Sequence, residues 1–304
     1  MNIGANGIVI NEYGDVLLVR RDDTRTFAPP GGACEKDELP IDTTVREVQE
    51  ETGLSVFPIR LTGLYFLPVQ PEPFLFLYYR CIPRSGNISN SSETLQTGFF
   101  KTDPLPNPML SFHQEELKQA YDHKGGPPNW STVQVGLRMR AGIFLLNRLV
   151  YPWLEFRRSR QGLPPYVPPP QWQVRATLVL NDAKGRVLLV QPDNTDDWML
   201  PSSDFTTIEP PWTLGNKLVH EHLDGSANIN NLSGIYMRKG EPEMEFVFSG
   251  TVQDGAQILT GKNTYFETDS FPQNLAADHR VMIENYLDPS EEISYKLFDE
   301  PAIQ

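Results

Sequence analysis

The sequence predicts an α/β protein with two similar domains, each a mixed sheet covered by helices on both faces. The chain contains an internal repeat: residues 14–19 (GDVLLV) resemble residues 185–190 (GRVLLV), 171 positions later. Internal repeats of this kind mark repeated structural units. Each copy also alternates apolar runs with helical patterns, the order that produces layered α/β domains. A length of 304 residues is enough for two cores, at roughly 150 residues per domain.

The repeat extends through most of both halves. The same spacing pairs Phe27 with Trp198, Pro30 with Pro201, Glu38 with Glu209 and Pro40 with Pro211. Residues 100–103 then match residues 266–269 at a spacing of 166, so the second copy has lost five residues. We therefore predict a first domain at 1–124, a linker at 125–170 and a second domain at 171–304.

Each copy is predicted to open with a β-hairpin, at 7–11 with 16–20 and at 177–181 with 187–191. In both cases two apolar runs meet at a turn that contains glycine. The segment 74–80 (FLFLYYR) has the aromatic composition of a buried strand. Helical patterns close the copies at 113–121 and 279–286.

The linker between the copies is basic and apolar. Residues 123–171 contain one lysine and six arginines but a single acid, Glu155. Residues 133–151 are predicted to form a helix that ends at Pro152, since proline breaks a helix interior. This helix is apolar nearly all round, which favours burial between the copies or in a homodimer. A membrane-surface or phosphate-binding role is the alternative. The proline-rich end (GLPPYVPPPQ) is predicted to be extended.

Composition excludes several other classes of protein. A formal charge of −13 argues against general nucleic-acid binding. Two cysteines form no disulfide framework, and Cys34 is interpreted as an incidental thiol. The start MNIGANGIVI lacks a basic region followed by a long apolar one, so neither a signal peptide nor a transmembrane segment is predicted. A cytoplasmic location follows as an expectation.

Three carboxylates provide the chemical signal. Glu47, Glu50 and Glu51 are spaced to share one helical face. Like charges packed side by side repel, so a cation is the expected partner. Ligation by carboxylate oxygens alone suits Mg²⁺ or Mn²⁺ better than zinc.

These carboxylates belong to a longer motif. Residues 32–54 resemble the Nudix hydrolase signature, G-x5-E-x7-R-E-U-x-E-E-x-G-U, where U is a bulky aliphatic residue. The matching positions are Gly32, Glu38, Arg46, Glu47, Val48, Glu50, Glu51, Gly53 and Leu54. The resemblance implies an α/β/α sandwich that hydrolyses a phosphoanhydride bond in a nucleoside diphosphate linked to another moiety. It also implies a metal contact from a backbone carbonyl near Gly31.

Roles follow for the other candidate residues. Arg46 is interpreted as an orienting partner of the carboxylates, and Glu38 as a support for Glu47. Glu47 is the preferred general base, although the base varies across the family and stays open here.

Candidate residues for binding a nucleotide lie outside the motif. We select Arg20 and Arg25 for phosphates and Tyr65 for stacking on a base. Solvated strand ends for the arginines and core packing for the tyrosine are the alternatives.

The second copy lacks most of the signature. It has Ser202 and Ser203 in place of the two glycines, Leu218 in place of Glu47 and His222 in place of Glu51. One remaining carboxylate and an imidazole are a poor Mg²⁺ site. We therefore predict a degenerate second domain. The alternative function for the whole chain is a nucleotide sensor or scaffold.

Overall fold

The computed structural model describes residues 1–91, 94–162, 165, 167–193, 195–259, 262–288 and 292–299, apart from the side chain of Arg138. Parts of the predicted proline-rich segment, at 163, 164 and 166, lie outside the described residues. The chain divides into two compact units. The first comprises Met1–Gly125 and Asn129–Pro170, and the second comprises Gly126–Pro128 and Gln171–Gln304.

The first unit contains a mixed sheet and a smaller antiparallel sheet. Its strands are β1 (Asn2–Val9), β2 (Val16–Arg21), β3 (Phe27–Ala28), β4 (Gly31–Ala33), β5 (Leu54–Leu67), β6 (Phe74–Gly86), β7 (Thr94–Phe100) and β8 (Asn129–Thr132). The larger sheet has the order β4-β1-β6-β5-β8, and the smaller one has the order β3-β2-β7. The β1–β6 and β5–β8 pairs are parallel. The strand β8 lies beyond residue 124.

Two helices cover opposite faces of the larger sheet. They are α1 (Pro40–Thr52) and α2 (Ser111–Asp122). A Cβ atom built on Gly7 of β1 would lie 2.6 Å from Val48 of α1. The next residue, Ile8, packs in a cluster with Leu117 of α2. Successive strand residues point to opposite faces, so the unit is an α/β/α sandwich, and the predicted fold class is confirmed.

The ends of α1 are set by its sequence. Pro40 begins the helix, at a position where the missing N–H costs nothing. Gly53 ends it with φ 76°, in the left-handed region that glycine adopts freely, and its N–H bonds to Gln49 O at 2.9 Å. Thr44 and Val48 are buried against the sheet. Glu47 lies against its edge strand β4, and Glu50 is exposed.

The second unit repeats the order of these elements, except that isolated bridges stand at the places of β3 and β4. Its strands are β9 (Gln173–Asn181), β10 (Val187–Gln191), β11 (Ala227–Arg238), β12 (Glu243–Val252), β13 (Lys262–Phe266) and β14 (Ser294–Phe298). They form one mixed sheet in the order β13-β10-β9-β12-β11-β14. The helix α5 (Pro211–Leu223) corresponds residue by residue to α1, and α6 (Ala277–Leu287) closes the unit.

The linker helix differs from the prediction in its bounds. It consists of α3 (Leu137–Leu145), a π-helical segment (Leu146–Val150) and α4 (Tyr151–Arg160). It therefore begins four residues later than predicted and continues through Pro152. The Tyr151 N–H bonds to Leu146 O, a π-type bond that widens the turn just before the proline ring. A widened turn relieves the clash that proline otherwise makes inside a helix.

Large apolar side chains of this helix are exposed. Leu137 is 86% exposed, Phe144 64% and Phe156 61%. Coverage by the second copy or by a homodimer partner stays a prediction.

No helix among the described residues has both the length and the apolar character needed to cross a membrane. The cytoplasmic location stays a prediction.

Candidate active site

The signature helix α1 packs its acids against the two glycines of β4. Glu51 is buried, and its Oε2 accepts the Gly31 N–H at 3.0 Å. A Cβ built on Gly32 would lie 2.3 Å from Glu47 Oε1. A Cβ on Gly31 would lie 2.4 Å from Ala5 O. A side chain at position 31 would therefore clash with backbone, whereas one at position 32 would displace the end of the Glu47 side chain. The backbone of β4 thus lies directly against the Glu47 and Glu51 carboxylates.

Arg46 connects the acids through five hydrogen bonds. Its Nε donates to Glu38 Oε1 at 2.7 Å, Nη1 to Glu47 Oε1 at 2.7 Å and Glu50 Oε2 at 3.3 Å, and Nη2 to Glu38 Oε2 at 2.9 Å and Ala33 O at 3.1 Å. Glu38 also accepts the Glu35 N–H at 3.1 Å and the Thr43 hydroxyl at 2.9 Å. The guanidinium is thus fixed on one side by Glu38 and Ala33, and it holds Glu47 and Glu50 on the other.

These contacts shift the pKa values in different directions. Hydrogen bonds to Glu38 raise the pKa of Arg46, so its charge is permanent. Burial alone would raise the pKa of Glu38, but hydrogen bonds from Arg46, the Glu35 amide and Thr43 outweigh it and lower the pKa. Burial raises the pKa of Glu47 despite the hydrogen bond from Arg46. Of these two carboxyls, Glu47 has the greater affinity for a proton.

The donor set fits a hard divalent cation. Within the described residues, no three His, Cys, Asp or Glu side chains are already gathered as a metal site. However, Glu47 Oε1 and Glu50 Oε2 converge on one positively charged atom, Arg46 Nη1. Glu51 lies one helical turn from Glu47, and all three side chains offer oxygen ligands, which Mg²⁺ and Mn²⁺ prefer.

The predicted phosphate-binding arginines lie at the end of β2, which contains Arg20, and in the loop that follows, which contains Arg25. Arg20 Nε donates to Arg25 O at 3.2 Å, and its guanidinium lies 6.0 Å from the centre of the Phe27 ring. Arg25 is exposed and forms an ion pair with Asp22 at 3.1 Å.

The structure does not bring Tyr65 to the carboxylates. Tyr65 is 3% exposed, its hydroxyl donates to Gln119 Oε1 at 2.8 Å and its ring packs edge-on against Tyr78. None of these contacts involves the signature acids. Tyr65 therefore packs in the core, which was the alternative to stacking on a base.

Arg21, which we did not select from the sequence, interacts electrostatically with the signature. It forms two hydrogen bonds with Asp23, at 2.9 and 2.8 Å. Burial opposes its charge, but these bonds and the negative charges of Asp23 and Glu51 raise its pKa. The pairing of β2 with β7 is irregular between Arg20 and Arg21, and the sequence offers no signal for choosing between these two arginines.

Cys34 lies beside this site, but its thiol is unreactive. Its side chain is fully buried, and burial raises the pKa of the thiol to about 12. Since the thiolate is the reactive form, Cys34 is no nucleophile at neutral pH.

The second unit keeps the supporting ion pair of the signature and loses the acidic face. Lys217 Nζ contacts Glu209 Oε2 at 2.5 Å, at the positions of Arg46 and Glu38. Leu218, at the position of Glu47, is buried in the core. His222 is half-buried, and burial lowers its pKa.

Comparisons with known proteins agree with this geometry. Residues 2–121 match the model of the NUDIX domain. A MutT-like protein of Streptomyces ambofaciens is 34% identical over 124 residues, which cover 41% of this chain and 79% of that protein. A Bacillus subtilis protein named "Putative 8-oxo-dGTP diphosphatase" is 30% identical over 146 residues, covering 48% of this chain and 95% of that protein. Another B. subtilis protein, named "Putative ADP-ribose pyrophosphatase", is 31% identical over 105 residues, covering 33% of this chain and 50% of that protein.

The chain therefore belongs to the Nudix family and is a pyrophosphohydrolase of the Nudix type.

Proposed function

We propose that the first unit hydrolyses a phosphoanhydride bond in a nucleoside diphosphate linked to another moiety, with Mg²⁺ or Mn²⁺ as cofactor. The observation that carries this proposal is the convergence of Glu47 Oε1 and Glu50 Oε2 on Arg46 Nη1. Two carboxylate oxygens directed at one positive atom can also hold a divalent cation. Glu51, from the same helix, and a carbonyl near Gly31 complete the ligand set of the proposal.

The chain's own residues have separate tasks in this reaction. A bound divalent cation neutralises phosphate charge and activates water. Arg46, fixed by Glu38, keeps the Glu47 and Glu50 carboxylates in one orientation. Loss of such a supporting contact commonly lowers activity or metal affinity by about 10- to 100-fold. Glu47 is our choice for the group that accepts the proton of the attacking water. Burial raises its pKa, whereas hydrogen bonds lower the pKa of Glu38.

The substrate class is supported by the names of two relatives. One is named for 8-oxo-dGTP and the other for ADP-ribose, and both compounds carry a nucleoside on a phosphoanhydride. Arg20 and Arg25 are our candidates for phosphate contacts, because they lie at the end of β2 and in the loop that leads from it to the signature.

We further propose that the second unit has no catalytic role. Leu218 supplies no oxygen where Glu47 stands in the first unit, and Ser203 replaces the glycine that lies against the Glu47 carboxylate. A titration with Mn²⁺, followed by water proton relaxation, should give tight sites in the full chain that Glu50→Gln and Glu51→Gln weaken. Tight binding that is insensitive to both variants would contradict this assignment.

The function is tested with the purified full chain and a nucleotide panel. The panel contains ADP-ribose, 8-oxo-dGTP, dGTP and a nucleotide sugar, with Mg²⁺, with Mn²⁺ and with a chelator, and the products are resolved by chromatography. Glu50→Gln is compared with Glu221→Gln, the same change at the equivalent place in the second unit. Turnover that needs a divalent cation and is lost only in Glu50→Gln supports the proposal. Nucleotide binding without turnover would favour a sensor or scaffold instead.

A further inference from the structure

An open cleft of about 410 Å³ lies in the first unit between the loop after β2 and the linker helix. Its walls include Asp22, Asp23 and Arg25 from the loop and Leu149, Trp153 and Leu154 from the helix. The helix residues lie outside the stretch that matches the NUDIX domain, which ends at residue 121. This wall is therefore an addition of this chain to the family's common fold.

The loop side of the cleft is a firmly built turn. The Arg21 N–H donates to Thr26 O at 3.0 Å, and the Arg25 N–H donates to Arg21 O at 3.1 Å. The Thr24 N–H donates to Asp23 Oδ1 at 2.6 Å. The helix is tied to the same turn, because Arg157 forms an ion pair with Asp22 at 3.4 Å.

The loop of the cleft leads directly to the signature along the chain. Arg21, the last residue of β2, donates two hydrogen bonds to Asp23, which lines the cleft. After the turn the chain runs through β3 to Gly31, whose N–H donates to Glu51 of α1 at 3.0 Å. Five residues, 26–30, therefore separate Arg25 of the cleft from the glycine that contacts the Glu51 carboxylate.

The groups in the cleft suit a nucleoside. Trp153 is 55% exposed, so its indole ring is accessible to a ligand. The Arg157 guanidinium lies 5.8 Å from the centre of this ring and helps to fix its position. An indole face stacks on any base, and carboxylates such as those of Asp22 and Asp23 accept hydrogen bonds from ribose hydroxyls and base amino groups. Leu149 and Leu154 supply the apolar surface that such pockets need.

We propose that this cleft binds the nucleoside part of the substrate and that Trp153 stacks on its base. The inference rests on the proposed function, since it places the nucleoside beside the site of hydrolysis. The linker helix then contributes directly to substrate binding, and Trp153 is a specificity-determining residue.

The kinetic test compares three variants with the nucleotide that the wild type hydrolyses best. Trp153→Ala should raise KM about tenfold and leave kcat within about twofold, in the range expected when a base loses an aromatic partner. Trp153→Phe should restore most of the affinity. Phe156→Ala is the matched control, because Phe156 is an exposed aromatic residue of the same helix that does not line the cleft. An unchanged KM in Trp153→Ala, or an equal rise in Phe156→Ala, would overturn the inference.

A binding test works even without hydrolysis. AMP and GMP carry a base and no phosphoanhydride, and inorganic phosphate carries no base. Saturable quenching of tryptophan fluorescence by AMP or GMP, but not by phosphate, should disappear in Trp153→Phe. The difference spectrum isolates Trp153 from the other four tryptophans of the chain. If the wild type hydrolyses no nucleotide but this quenching is seen, the proposed function fails and the nucleoside site stands. Quenching that persists in Trp153→Phe, or no quenching by either nucleotide, would refute the site.

Discussion

Arg46→Lys separates the orienting role of Arg46 from its charge. The arginine donates to three carboxylates and to Ala33 O, whereas Lys217, at the equivalent place in the second unit, forms an ion pair with Glu209. The variant should therefore keep the Glu38 pair and lose the geometry that joins Glu47 to Glu50.

The expected losses of stability and turnover in Arg46→Lys depend on how exposed each lost contact is. The Glu50 side chain is 60% exposed, so its ion pair contributes only about 0–1 kcal/mol. The Glu47 side chain is 15% exposed, and losing its charged hydrogen bond should lower the free energy of unfolding by about 2 kcal/mol. We expect kcat to fall by about 10- to 100-fold, which corresponds to about 1.4–2.7 kcal/mol in the activation barrier.

The assay is steady-state turnover of the best nucleotide from the panel, at saturating Mg²⁺, with urea unfolding measured in parallel. Lys217→Arg is the reciprocal control in the second unit and should leave turnover unchanged. A kcat for Arg46→Lys within about twofold of the wild type would show that charge alone is sufficient, and the orienting role would then be wrong.

Three further predictions concern the carboxylates, a glycine and a histidine. Glu50→Gln and Glu51→Gln should each lower kcat by about 10²- to 10³-fold in folded protein, because they remove charge that holds the cofactor at the reacting phosphate; near-normal rates would disprove the metal site. Gly32→Ala should lower kcat by at least about tenfold with little change in the unfolding midpoint, since the new Cβ displaces the flexible end of Glu47; unchanged turnover would contradict this. Burial lowers the pKa of His279 from 6.5 to about 4, and its Nδ1 accepts the Leu200 N–H at 2.8 Å. The unfolded chain therefore takes up this proton first, and the stability that His279 contributes, complete above pH 6.5, should be lost as pH falls from 6.5 towards 4; an NMR titration midpoint for its ring near 6.5 in the folded protein would refute this.

The fold class was predictable because two independent signals agreed. The repeated GDVLLV and GRVLLV runs indicated duplicated strands, and they form β2 and β10. The proline that begins α1 and the glycine that follows its last turn bound a helix whose counterpart, α5, has the same limits 171 residues later. Repetition turned weak local preferences into a strong prediction, since the same elements were indicated twice.

The acidic face of the site was predictable for a different reason. Spacing within a helix determines which side chains share a face, so Arg46, Glu47 and Glu50 had to be neighbours. No such rule joins residues that are distant in the chain. Strand alternation could not tell which of Arg20 and Arg21 would come near Glu51, and the aromatic character of Tyr65 suited a core position as well as a stacking one.

The end of the linker helix was predicted wrongly, and its true position affects the proposed binding site. Proline was expected to end the helix at residue 152, because it removes a hydrogen bond and clashes with the preceding turn. The π-helical segment widens that turn and lets the helix continue to Arg160. Trp153 lies directly after the proline, so a helix ending where the sequence predicted would have left it in a loop with no fixed direction. In the extended helix, the Arg157–Asp22 ion pair holds the same segment against the turn after β2. The local π-turn is thus the feature that allows a residue outside the stretch that matches the NUDIX domain to form a wall of the cleft.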